Sequence, residues 1–113
     1  MPDNRRTPRK NPDQAIEIHD INSGHILGQL VNITIEGLML IGPEAIPPGT
    51  LYQLHMPLPD PTNGISAIDF GVESLWHQSA GNSNRYWTGF QIIDISPENS
   101  AAVESISEGW KET

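Results

Sequence analysis

The chain has 113 residues, a formal net charge of −8 at neutral pH and no cysteine. This length fits a single domain with its own core, and the absence of cysteine excludes disulfides and thiolate zinc sites. No apolar run approaches the ~20 residues of a membrane helix, and the N-terminus lacks the hydrophobic centre of a signal peptide. We therefore expect a soluble, cytoplasmic protein that is not inserted into a membrane.

The basic residues are concentrated at the N-terminus. Four of the six occur among the first ten residues: Arg5, Arg6, Arg9 and Lys10. With one acid, that segment carries a net charge of +3, whereas the remaining residues hold thirteen acids and two bases, a net charge of −11. Arginine binds phosphate through two hydrogen bonds and stacks on planar rings, so we expect the segment to bind a planar anion. A solvated basic tail is the alternative interpretation.

Residues 1–13 contain three prolines and almost no apolar side chain. This composition predicts a flexible basic arm ahead of a folded domain over residues 14–113. Within that domain, alternating apolar residues and intervening turns predict six β-strands. The predicted strands cover residues 14–20, 26–35, 38–41, 51–58, 65–77 and 86–95, and residues 59–64 are predicted to form a loop.

The last part of the chain changes from strand to helix periodicity. Ser96 is a favourable N-cap and Pro97 suits the first helical position. Three apolar residues then recur at helical spacing, which predicts one buried stripe: Val103, Ile106 and Trp110. Six short strands closed by a helix favour a mainly β protein with a small antiparallel barrel.

The second predicted strand has one apolar and one polar face. Val31, Ile33 and Ile35 alternate on the side predicted to face the core, and Asn32 and Thr34 alternate on the other. An amide and a hydroxyl about 7 Å apart can meet the hydrogen-bonding edge of a guanine base.

The remaining chemistry-bearing residues form no pattern typical of an active site. The four histidines lack metal-ligand spacing, and the candidate carboxylates lie on separate strands or loops. We therefore expect no catalytic residue, no metal site and no enzymatic activity. Trp76 alternates with Ile68, Phe70 and Val72, so both a core position and a position at the edge of a ligand are open.

Two motifs together resemble the signature of the PilZ domain family. Arg5-x-x-x-Arg9 is followed by Asn32-x-Thr34-x-x-Gly37, in the order that the family has Arg-x-x-x-Arg and Asp/Asn-x-Ser-x-x-Gly. Residues 74–76 resemble the family's strand ending in Trp, and residues 86–92 resemble its Gly-x-x-Phe strand. The resemblance covers nearly the whole chain. A second frame of the first motif pairs Arg6 with Lys10. It is less favourable because lysine neither stacks on planar rings nor donates two parallel hydrogen bonds to a phosphate as arginine does.

The resemblance implies a six-stranded antiparallel barrel that binds the bacterial second messenger cyclic di-GMP. Arg5 and Arg9 would hold phosphate and stack on guanine, with Arg6 as a further contact of the basic cluster. The guanine edge would meet Asn32 and Thr34, where Thr34 replaces the usual serine and is expected to weaken binding. Gly37 would keep the wall of the site flat.

The family resemblance also implies how such a protein acts. It would be a receptor and adaptor whose arm orders over the nucleotide and which signals to a protein partner controlling motility, pili, exopolysaccharide or biofilm formation. Whether one nucleotide or a stacked pair binds stays open. One alternative is a PilZ-like interaction domain that does not bind nucleotide. Another is an RNA or single-strand DNA binder that uses the arm together with residues 85–87, which the acidic body disfavours.

Overall fold

The computed structural model of the protein describes residues 15–81 and 83–111, and for residues 109–111 it describes only the backbone. Arg5, Arg6 and Arg9, together with the predicted arm, lie outside the described residues. No helix in the described part of the chain is long and apolar enough to cross a membrane.

Six antiparallel strands and one helix make up the described residues. The strands are β1 Glu17–Asp20, β2 Ile26–Ile33, β3 Gly37–Gly42, β4 Leu51–Thr62, β5 Ile65–Ser79 and β6 Tyr86–Asp94, and the helix is α1 Pro97–Lys111. The strands close into a barrel in the order β1-β2-β3-β6-β5-β4. The fold class predicted from the sequence, an antiparallel six-stranded barrel followed by a helix, is confirmed.

Apolar side chains from all six strands fill the barrel. Leu40, Leu54, Met56 and Ile68 are among the most deeply buried. They alternate along their strands with outward-facing residues, as a strand with one solvated face requires. A closed barrel also leaves no long sheet edge exposed.

Helix α1 begins where the sequence predicts. The Asn99 N–H donates to Ser96 Oγ at 3.1 Å, so Ser96 caps the helix. Val103 and Ile106 are buried, as predicted, and α1 packs against β5, β2 and β4. The side chain of Trp110, the third member of the predicted stripe, is outside the described residues.

The predicted loop over residues 59–64 is largely strand. β4 extends to Thr62, and only Asn63 and Gly64 form the turn to β5, with φ values of 53° and 78°. Two consecutive positive φ values are typical of a type I′ hairpin turn. The two prolines that suggested a loop lie where the pairing of β4 with β5 is irregular, so their missing N–H groups interrupt no regular ladder.

The predicted core face of the second strand is partly wrong. A β-bulge between Leu30 and Asn32 places Leu30 and Ile33 in the core and leaves Val31 half-buried. The strand ends at Ile33, and Ile35 is 49% exposed because it lies in the turn that follows.

Candidate functional site

One row of residues on the outer face of the barrel joins β5 to β2 across two intervening strands. Trp76 pairs with Gly89 on β6, and Gly89 pairs with Met39 on β3. Met39 in turn pairs with Asn32 on β2. Neighbouring strands lie about 4.8 Å apart, which puts the backbones of Trp76 and Asn32 about 14 Å from each other. Between an aromatic side chain and an amide, a glycine and a methionine form a shallow floor.

An open cavity of about 830 Å³ lies over this row. Its volume falls within the range of small-molecule sites, about 300–1,000 Å³. The apolar side chains around it include Ile35, Met39, Leu75 and Trp76. The polar side chains are those of Asn32, Thr34, Glu36 and Gln91. A wide apolar surface with a few polar groups at its rim suits a planar ligand with polar edges.

A tight turn between β2 and β3 forms one wall of the cavity. The Thr34 N–H donates to the Gly37 carbonyl oxygen at 2.8 Å, and the Glu36 N–H donates to Thr34 Oγ1 at 3.2 Å. Thr34 therefore lies in the turn, and the prediction that placed it on the second strand is wrong. Its hydroxyl accepts one hydrogen bond from the backbone and keeps its own hydrogen for another partner.

A second bulge turns Trp76 outward. The pairing of β5 with β6 shifts between Ser74 and Trp76, so the alternation that keeps Phe70 and Val72 inside does not extend to Trp76. The indole is 41% exposed and lines the cavity. The sequence left open whether Trp76 lies in the core or at the edge of a ligand site, and the structure places it at the cavity.

Two glycines make the close approaches of this region feasible. A Cβ on Gly89 would overlap the indole of Trp76, so the ring lies flat on the bare backbone of β6. A Cβ on Gly37 would overlap the carbonyl oxygen of Phe90. Gly37 therefore permits the close pairing of β3 with β6, and it also lines the cavity.

The cavity has little charge of its own. Among its described lining residues, Glu36 is the only one with an acidic or basic side chain. The described lining therefore supplies no cation for an anionic ligand. The Leu30 N–H donates to the Ile16 carbonyl oxygen at 2.8 Å, so residues 15–16 continue the antiparallel direction of β1 beside β2, toward Asn32.

The structure brings together three of the six residues predicted for the site, namely Asn32, Thr34 and Gly37. The three arginines are outside the described residues. The sequence interpretation missed several lining residues: Ile35, Glu36, Met39, Leu75 and Gln91. Met39 and Gln91 were detectable as outward-facing neighbours of motif residues on adjacent strands, and Leu75 was detectable because it alternates with the inward-facing Val72 and Ser74.

Other polar groups of the barrel form smaller, separate arrangements. On the outer face, His55 Nδ1 lies 2.6 Å from Asp69 Oδ1, with the His19 ring edge-on to His55. No group of three or more histidine or carboxylate side chains among the described residues is arranged to hold a metal ion. Beside the β1–β2 turn, burial raises the pKa of Tyr52, and the carboxylates of Asp20 and Glu44 raise it further.

The geometry of the barrel has a close counterpart among solved structures. It is similar to the structure of the Bacillus subtilis Inhibitor of motility (MotI/DgrA), with a TM-score of 0.69 and 13% sequence identity. The match covers 92% of this chain and 51% of that one, so this chain spans about half the length of its structural neighbour. At this identity the likeness shows the fold alone.

The sequence itself matches one family along most of its length. No curated protein matches the chain. The family model described as the PilZ domain matches residues 3–109, a span that includes both motifs, the whole barrel and most of α1. The chain therefore belongs to the PilZ domain family.

Proposed function

We propose that this protein is a cyclic di-GMP receptor that binds the nucleotide in the cavity beside Trp76. The observation that supports this most strongly is the cross-strand row that brings Trp76, Gly89 and Asn32 to one cavity. PilZ domains are binding and adaptor domains, and the cavity has the size and polarity of a nucleotide site.

Each half of the cavity suits a different part of a guanine. The exposed indole of Trp76 offers a flat surface on which a base can stack. Across the floor, the Asn32 amide donates and accepts hydrogen bonds, and the Thr34 hydroxyl can donate one. Together these groups complement a base that has both donors and acceptors on its edge.

The phosphates would be bound by the N-terminal residues. The cavity has no cation among its described lining residues, whereas the first ten residues hold four bases. Arg9 lies six residues before Ala15, a reach of up to about 20 Å. Arg5, Arg6 and Arg9 are therefore proposed to close over the nucleotide, with their guanidinium groups on its phosphates and bases.

The output of binding would be a changed surface for a protein partner. Ordering of a basic arm over the cavity would replace an exposed apolar surface with a charged one. The structural neighbour is named as an inhibitor of motility, and control of motility, pili, exopolysaccharide or biofilm formation is the proposed output. Cyclic di-GMP is an intracellular messenger, so the proposed compartment is the cytoplasm.

Calorimetric titration of the full chain with cyclic di-GMP tests this proposal, with GTP and cyclic di-AMP as controls. Selective binding at micromolar affinity or tighter is expected, and the titration gives the stoichiometry directly. A folded protein that binds none of the three nucleotides would contradict the proposal.

A PilZ-like interaction domain without nucleotide binding is the second candidate, and Glu36 favours it. Its carboxylate lines the cavity and would repel a phosphate that came close. If calorimetry detects no nucleotide, the exposed side chains of Ile35, Leu75 and Trp76 become the proposed contact surface for a protein.

A further inference from the structure

A second cavity, smaller than the first, lies between the β2–β3 turn and helix α1. It has a volume of about 250 Å³, and its lining residues are Thr34, Ile35, Glu36, Glu104, Ser107 and Glu108. We call it the acidic notch. Because Thr34, Ile35 and Glu36 line both cavities, the turn is a wall that the two share.

The notch combines negative charge with an unused polar group. Three of its six lining residues are glutamates. Ser107 also lines the notch and is only 7% exposed, yet its hydroxyl makes no hydrogen bond to another of the described residues. A buried hydroxyl without a partner costs roughly 1–3 kcal/mol, so a ligand that supplies a donor would satisfy it.

We propose that the acidic notch binds the N-terminal residues of the same chain, through one or more of Arg5, Arg6 and Arg9, when the larger cavity holds no nucleotide. A guanidinium group has five N–H donors in a planar fork, which can meet carboxylates and a hydroxyl at the same time. The charges are complementary, since the first ten residues carry +3 and the notch has three glutamates.

The described start of the chain is directed toward this place. Ile16 lies beside Leu30 of β2, residues 15–16 are directed toward the end of β2, and the shared turn follows directly after β2. From Ala15, a reach of up to about 20 Å brings Arg9 to either side of the turn. The helix side of the notch is held in place, because Asn63 Nδ2 donates to Ser105 Oγ at 3.5 Å and Asn99 Nδ2 donates to the Asp69 carbonyl oxygen at 3.2 Å.

Binding of the arm in the notch would compete with nucleotide binding. The same arginines cannot lie in both cavities, so the nucleotide would bind only the fraction of molecules whose arm has left the notch. Apparent affinity falls in proportion to that fraction. Neutralising the notch should therefore tighten cyclic di-GMP binding by a few-fold. This consequence rests on the proposed function, whereas docking of the arm does not.

Paramagnetic relaxation in the full chain tests the docking directly. The chain has no cysteine, so Thr7→Cys carries a single nitroxide label between the arginines. In nucleotide-free protein at low salt, the label should broaden the amide signals of residues 104–108. The double variant Glu104→Gln/Glu108→Gln should lose that broadening, while Glu44→Gln/Glu98→Gln, with the same change in charge, should retain it.

Two results would overturn the inference. One is the absence of broadening at residues 104–108 in the nucleotide-free protein. The other is broadening that both double variants reduce equally, which would indicate attraction to the acidic body in general. Calorimetry separates this inference from the proposed function, because nucleotide binding without docking would contradict only the notch, and docking without nucleotide binding would contradict only the receptor.

Discussion

Trp76 shows how two local features orient a single side chain. The bulge in β5 turns the residue outward, and the missing side chain at Gly89 lets the indole lie flat on β6. With Ile35 and Leu75, the exposed indole forms an apolar patch at the cavity, and contiguous apolar patches are typical of binding surfaces. Its function in the proposed receptor is to stack on a guanine.

The substitution Trp76→Ala should weaken cyclic di-GMP binding by roughly one to two orders of magnitude. Base stacking on an aromatic side chain is worth about 1–3 kcal/mol, and about 1.4 kcal/mol corresponds to a tenfold change in affinity. Calorimetry of the variant gives the change. Leu51→Ala is a suitable control, since Leu51 is 65% exposed and does not line the cavity. Equal affinities for wild type and Trp76→Ala would remove the indole from the site.

Arg9→Ala should also reduce the affinity for cyclic di-GMP by about one to two orders of magnitude. A hydrogen bond to a charged group is worth roughly 1.5–3 kcal/mol. Truncation to alanine removes the positive charge and the paired N–H donors of the guanidinium group. The matched control is Arg85→Ala, because Arg85 is exposed on the β5–β6 hairpin and does not line the cavity. If both variants lose affinity equally, net charge and not a specific contact decides the binding.

Tyr52 should make the stability of the fold fall as the pH becomes alkaline. Its raised pKa means that the folded state favours the neutral phenol, through burial first and then through Asp20 and Glu44. This contribution to stability is fully present below the pKa of the unfolded chain, about 10. It is lost as the pH rises through the higher pKa of the folded state. Urea unfolding at several alkaline pH values measures the effect, and the free energy of unfolding of Tyr52→Phe should fall less with rising pH than that of wild type. An equal fall in both proteins would contradict this.

Helix α1 depends on its first turn, because a short helix gains stability from groups that pair with its free N–H donors. Ser96→Ala removes the cap on the Asn99 N–H and should cost about 1 kcal/mol. The free energy of unfolding in urea measures this loss. Ser96→Asp should restore most of it, since aspartate accepts the same hydrogen bond. A loss that aspartate does not restore would assign the effect to packing.

The element boundaries that could be predicted are those with a local chemical cause. The helix start at Ser96 and Pro97 is an example, since a cap and a fixed φ act within one turn. The alternation of Leu54 and Met56 on β4 likewise indicates a half-buried strand without reference to the rest of the fold. Such signals depend on a few neighbouring residues, so the sequence contains them completely.

The elements that could not be predicted depend on pairing between strands. Nothing in the sequence around Val31 or Leu75 indicates an extra residue in the ladder, yet the two bulges decide which side chains reach the cavity. The same holds for the prolines of β4, which stay in a strand because the partner strand tolerates irregular pairing there. For the site, the second motif was located by resemblance to the family. The residues that lie beside it on other strands could be assigned only once the strand order of the barrel was known.

At the scale of the whole molecule, charge and topology work together. The basic residues are gathered before β1, the described lining of the cavity has no cation, and the described residues just before β1 lie beside β2, which leads to the cavity. The acidic remainder would repel a nucleotide approaching any other face. In the proposed receptor, this separation of charge along one chain would provide a specific anion site on a protein that otherwise repels anions.

This separation also argues against a nucleic-acid binder. Tyr86 and Trp87 are adjacent on β6, so their side chains point to opposite faces of the sheet and cannot form one stacking platform. Arg85, in the hairpin before them, is the only basic residue of that segment. A single-strand binder normally combines several aromatic side chains with a positive groove, and the described surface of the barrel has no such combination.

Ionic strength should distinguish the two kinds of binding. The Debye length falls from about 30 Å at 0.01 M salt to about 8 Å at physiological salt, so attraction between the arm and the phosphates weakens. The affinity for cyclic di-GMP should therefore fall as salt rises, and Arg5→Gln/Arg9→Gln should flatten that dependence. Selectivity over cyclic di-AMP should persist throughout, because base contacts are screened little. Tight, base-independent binding of oligouridylate that salt removes steeply would instead favour a nucleic-acid binder, since releasing many counterions gives such a slope.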